Sequence, residues 1–234
     1  MIKQELNDRS PLRILERSTQ GGLGKGNLGV IAARQGVGKT ACLVHIATDK
    51  LLQGKQVIHV SFATSPTHIV DWYEDIFREI AEKFSLESVM AVHDEMIRRR
   101  IIMNFNQASI RLPQVIGSLR SMIRDGHFAA DAIVVDAYDF AAVSKAELEQ
   151  VRGFAAEQGL EIWFSVSLGY DRPSYDAAGI PGMLKDLIEA FSIVICLRPE
   201  EKHIHLQLVK DHDAAVPEDL HLKLDPKTLL IAKE

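Results

Sequence analysis

The chain has 234 residues, 47% hydrophobic and 25% charged, with a formal net charge of -5. That length supports a substantial buried core, the composition is ordinary for a globular protein, and the acidic balance offers no general attraction to nucleic acid. The start, from Met1 to Pro11, is polar and mixed in charge, unlike a signal peptide. The longest apolar stretches are broken by Asp131, Asp136 and Asp139 too early to span a membrane. A cytoplasmic setting is expected. Cys42 and Cys196 lie inside apolar segments and read as small core residues, not a disulfide or metal site.

In chain order, residues 1–20 form a lead-in with little periodicity. A glycine-rich turn at 21–27 feeds an apolar strand at 28–32. A helix is predicted from Lys39 to Gln53, stopping at Gly54, and a buried strand over 56–62. Thr67 can cap an amphipathic helix that carries Ile69, Val70, Trp72, Tyr73, Ile76, Phe77 and Ile80. A second helix is predicted from Leu86 to Arg98, then a short strand at 101–105 and a helix from Leu112 to Arg124. Residues 132–136 form an apolar strand that ends in Asp136. A helix from Lys145 to Gln158 ends at Gly159, and the next strand covers 160–166. Residues 169–182 read as irregular, 183–190 as a short helix and 192–197 as a strand. Residues 202–210, 220–224 and 229–232 read as a hairpin or meander. Alternating strands and helices predict an α/β fold: one domain over 1–234, with a mostly parallel twisted sheet, helices on both faces and a C-terminal antiparallel extension.

The strongest local signal is Ala33-Arg34-Gln35-Gly36-Val37-Gly38-Lys39-Thr40, set between the first strand and the first long helix. A glycine turn at a helix N-terminus presents backbone N–H groups to phosphate oxygens. Residues Arg34 to Ala41 are therefore the candidate nucleotide-binding segment. Lys39 would reach the β- and γ-phosphates, and the Thr40 hydroxyl would ligate Mg²⁺. The phosphate-loop pattern has glycine at its first position; Ala33 stands there and can serve only where φ is negative. Asp136, at the end of its strand, is the candidate second holder of Mg²⁺. The expected ligands are ATP and Mg²⁺, and nothing in the sequence reads adenine against guanine.

The segment GGLGKGNLGVIAARQGVGKTA (21–41) resembles the core of the RecA-like P-loop ATPases, especially the DnaB-type helicase domain and the KaiC class. The likeness continues through SIRLPQVIGSLRSMIRDGHFAADAIVVDAYDF, PGMLKDLIEAFSIVICLRPE and LQLVKDHDAAVPEDLHLKLD. The resemblance implies nucleotide bound at a subunit interface, hence a homo-oligomer or a protein partner there. It also implies a polar sensor at Ser165 or Ser167.

Three departures bear on activity. The family's glutamate that activates water after the second core strand is matched here by Ala63, and a methyl group cannot accept a proton; such a base is worth roughly 10²–10⁴-fold. In the family's late strand a lysine is followed two residues on by an arginine finger. Lys210 matches the lysine as a possible trans contact, but His212 replaces the arginine, a loss worth roughly 10³–10⁵ in rate. The DNA-gripping loops correspond to 141–145 and 171–176 and are not basic. No catalytic residue is therefore assigned. The expectation is an ATP-binding assembly or regulatory component with weak or absent hydrolysis. The alternative is a DNA-dependent ATPase motor of the helicase type, and a small-molecule kinase, with Arg172 and Arg198 as lid arginines, ranks lower. His203 and His205 have ligand-like spacing, but with no third ligand evident they read as an exposed polar strand face and not a metal site, and Arg98, Arg99 and Arg100 complement a helix end.

Overall fold

Residues 28–33 (LGVIAA) hold no side chain that prefers water, and the chain buries all six. A computed structural model describes residues 10–19, 21–63, 65, 67–84, 89–169, 173–213 and 218–233. Its elements begin α1 (Leu12–Ser18), β1 (Leu28–Ala33), α2 (Lys39–Leu52), β2 (Val57–Ser61), α3 (Thr67–Phe84), α4 (Val89–Arg98) and β3 (Arg100–Asn104). They continue α5 (Leu112–Arg124), β4 (Ala132–Asp136), α6 (Lys145–Gln158), β5 (Glu161–Ser167), β6 (Ile193–Pro199), β7 (Ile204–Asp211), β8 (Glu218–Leu224) and β9 (Ile231–Lys233).

The strands form one mixed sheet in the order β3-β2-β4-β5-β1-β6-β7-β8-β9. The six from β3 to β6 are mutually parallel, and β7, β8 and β9 continue antiparallel. Parallel strands need crossovers, and the helices provide them on both faces. Alternation along β1 divides the core: Ile31 and Ala33 join the cluster under α1 to α4, while Val30 and Ala32 join the one under α5 and α6. The antiparallel strands send Leu206, Leu208, Leu220, Leu222 and Leu224 into the first cluster. No helix among the described residues is long and apolar enough to cross a membrane.

Local chemistry explains the boundaries. Ser144 Oγ accepts from Glu147 N while Glu147 Oε2 accepts from Ser144 N, a capping box that starts α6, and Gly159 (φ 63°) ends it. Three expectations change. The lead-in contains α1, held to α2 by ion pairs from Arg13 to Asp49 and Lys50 to Glu16 rather than by periodicity. Residues 183–190 are two 3₁₀ turns, Gly182–Leu184 and Ile188–Ala190, because Leu184 and Leu187 are buried at a spacing of three. Thr67 lies inside the first turn of α3 instead of preceding it. Residues 1–9, the predicted start of α4 at 86–88, and Asp171 and Arg172 lie outside the described residues. Both cysteines are free and buried, and burial pushes each thiol up to about 12.

Candidate functional site

The C-terminal ends of β1, β4 and β5 meet at one edge of the sheet, where open α/β sheets keep their ligand crevices. An open cleft there is lined by Gln35 to Thr40, Asp136, Asp139, Ser165 and Ser167. Arg34 is exposed just before this lining, and Ala41 is buried behind it. Ala33 ends β1 paired with Ser167 and is not among the positive-φ residues, so its Cβ is tolerated.

The glycines are required for different reasons. Gly36 has φ 78° and open space around an added Cβ, whereas Gly38 has φ 106° and a Cβ there would sit 2.5 Å from Leu224 Cδ2. The loop therefore turns under the end of β8, and α2 starts immediately after it. The first N–H groups of a helix have no partner within it. Lys39 Nζ donates to the Ala33 and Arg34 carbonyls at 3.2 and 2.9 Å, folding back over its own loop. Burial lowers the pKa of this ammonium, and the Asp136 carboxylate opposes that shift.

Asp136 is buried, and both its oxygens are engaged. Thr40 Oγ1 donates to Oδ2 at 2.8 Å, and Ser165 Oγ donates to Oδ1 at 2.6 Å. Ser165 Oγ also accepts from Ala137 N at 3.0 Å, which holds Ala137 in a left-handed conformation (φ 61°). A left-handed alanine of that kind costs about 1–2 kcal/mol and persists only when its surroundings impose it. Of the two predicted sensors, Ser165 touches Asp136; Ser167 lines the cleft without that contact. A hydroxyl and a carboxylate in an open cleft are hard oxygen donors that suit Mg²⁺.

Ser61 pairs with Asp136 across β2 and β4, and Phe62 N donates to the Asp136 carbonyl at 3.0 Å. Ala63 follows at once, its N–H bonded to Ser61 Oγ, so the end of β2 stands beside Asp136 and carries a methyl group. Asp139 is the other acidic residue lining the cleft; its Oδ1 accepts from Ala141 N at 2.9 Å. Lys210 and His212 lie elsewhere. β7 runs antiparallel to β6, pairing Lys210 with Val194 near the start of β6, at the opposite edge of the sheet from the glycine loop. Lys210 Nζ donates to the Ile188 carbonyl, and His212 Nδ1 lies 2.6 Å from Asp211 Oδ1. Arg198 donates to Gln207 and covers the Tyr175 ring at 4.2 Å, so its guanidinium is engaged within the fold.

Sequence reasoning missed the remaining walls. Trp72 lines the cleft although it shares helical spacing with core residues. The signal is its place at the edge of the buried stripe of Ile69, Tyr73 and Ile76, about 100° round the helix from Tyr73 at roughly 100° per residue. Ile204, Pro226 and Leu229 form the opposite wall, contributed by strand β7 and the β8–β9 turn. That turn is fixed by Asp225, which accepts from Lys227 N and Thr228 N, and β9 is tied to α2 where Ile231 N donates to His45 Nδ1 at 2.9 Å. No protein-family model matches the chain, and no curated protein matches it either.

Proposed function

We propose that this chain binds Mg-ATP in the cleft at the C-terminal edge of its sheet, as a RecA-like P-loop protein, and hydrolyses it weakly or not at all. The observation that carries this reading is the contact of Thr40 with Asp136 directly beside the glycine loop and Lys39. In a nucleotide-bound state the loop N–H groups and Lys39 would hold phosphate oxygens. Thr40 and Asp136 would hold Mg²⁺. Ile204, Pro226 and Leu229 have no side-chain hydrogen-bonding groups, so they would contact a base by shape alone.

Weak hydrolysis follows from Ala63, which places no base at the end of β2. Lys210 and His212 stand at the far edge of the sheet, so any contact they make with a nucleotide must be with one held by another subunit. Nucleotide would then act by stabilising one conformation or one assembly, without turnover. Lys39→Ala is expected to weaken Mg-ATP binding at least about tenfold, the loss of one charge-assisted bond. Affinity equal to that of the parent would overturn the assignment.

The competing reading, an active ATPase motor, rests on Asp139, the other carboxylate in the cleft. Asp139→Asn distinguishes the two: it leaves a non-hydrolysing protein unchanged and abolishes turnover in an active one. Stimulation of turnover by single-stranded DNA would favour the motor.

A further inference from the structure

The β6–β7 hairpin brings together three side chains that no part of the nucleotide reading uses. Glu200 N donates to the His203 carbonyl at 2.8 Å and closes the turn. His203 and His205 flank Ile204, so a two-residue repeat sends both imidazoles to the side opposite the cleft wall. The Glu200 carboxylate meets them there: one ligand atom from each residue lies within 4.8 Å of the other two. Glu200 Oε2 and His203 Nε2 are 3.3 Å apart. A tetrahedron with metal–ligand bonds of about 2.0–2.1 Å has edges of about 3.3–3.4 Å, so this pair already spans one edge of a zinc site.

We propose that Glu200, His203 and His205 form a Zn²⁺-binding site with water in the fourth position. Two imidazoles and one carboxylate select a borderline transition metal over Mg²⁺ or Ca²⁺, which favour all-oxygen shells. An ordinary Glu200–His203 ion pair involves two of the groups, whereas a metal would engage all three converging ligand atoms. Arg198, opposite His205 on β6, is drawn away by Gln207 and Tyr175. Lys223 stands opposite on β8 and lowers the affinity relative to neutral surroundings. The site is independent of whether the cleft binds nucleotide.

The test is calorimetric titration of the chelator-stripped full chain with Zn²⁺, paired with Co²⁺ absorption as a geometric probe. One equivalent of Zn²⁺ and visible Co²⁺ d–d bands of a four- or five-coordinate site are expected. Glu200→Gln and His205→Ala should each weaken Zn²⁺ binding by at least the about 10–100-fold that outer-shell changes alone cause. Asp136→Asn should leave the stoichiometry unchanged. Glu200 is exposed, so Glu200→Gln should melt like the parent without metal, which separates ligand loss from unfolding. Substoichiometric binding, or equal Zn²⁺ affinity in the parent and both variants, would overturn the site.

Discussion

Thr40 and Asp136, 96 residues apart in the chain, are joined by a 2.8 Å hydrogen bond from Oγ1 to Oδ2. That bond links the start of α2 to the end of β4. The strand between β4 and β1 supplies the second contact, from Ser165 to Oδ1, so three elements converge on one carboxylate. Ser165→Ala removes this donor and the acceptor for Ala137 N together. A net hydrogen bond is worth about 1 kcal/mol, so Mg-ATP affinity should fall about five- to tenfold while nucleotide binding in chelator changes little. Titration of a fluorescent nucleotide with and without Mg²⁺ measures the difference; equal losses in both conditions would mean that Asp136 does not serve the metal.

The two loop glycines should respond differently to alanine. Both have positive φ, which costs a residue with Cβ about 1–2 kcal/mol. At Gly38 the added methyl also meets Leu224 Cδ2 at 2.5 Å, and overpacking of that kind costs about 1–3 kcal/mol more. Gly38→Ala should therefore lower the urea midpoint more than Gly36→Ala, and Leu224→Ala should reduce the gap. Equal midpoints for the two glycine variants would contradict the packing of β8 on the loop.

How much of this was legible in the sequence depends on where the determining contact lies. α5, β4 and α6 match their predicted bounds because periodicity, the Ser144 cap and Gly159 are local signals. The glycine loop and Asp136 were readable for the same reason: residue type and spacing within a few positions define them. Trp72, Ile204, Pro226 and Leu229 were not, since their meeting depends on how β7 and the β8–β9 turn fold over the sheet edge. Glu200 escaped because a turn, not a strand period, carries it back to His203. α1 owes its place to the core that buries Leu12 and Leu15 and to Asp49 on α2, partners that no window around residues 12–18 contains.

Two buried histidines make stability pH-dependent. His45 accepts from Ile231 N and so is held neutral; burial, helped by Lys83, pushes its pKa from 6.5 to about 4. Burial takes His59 to about 4 as well, partly opposed by Asp136. Between those values the unfolded chain binds protons that the native state refuses, so stability is complete above about pH 6.5 and is lost as pH falls toward 4. The full excursion is worth about 3 kcal/mol per histidine. Asp49, whose carboxyl burial pushes up, acts in the opposite sense at the acidic end. The clean measure is therefore His45→Gln against the parent, which should reduce the slope of urea midpoint against pH by about half. An unchanged slope would contradict the neutral, buried His45.

On the proposed reading Ala63 is what separates binding from turnover, so placing a carboxylate there gives a direct gain-of-function arm. Ala63→Glu should raise single-turnover hydrolysis, by up to the roughly 10²–10⁴-fold that a positioned base contributes. No increase would mean that the end of β2 does not face the γ-phosphate.

The most direct measurement combines the Mg-ATP dissociation constant of the parent chain with single-turnover hydrolysis at the same protein concentration, with and without single-stranded DNA. Saturable Mg-ATP binding that Lys39→Ala weakens at least tenfold, with label remaining in ATP under both conditions, is the predicted result. Turnover near about one per second, within the ordinary enzyme range, or the absence of any nucleotide binding, would contradict it.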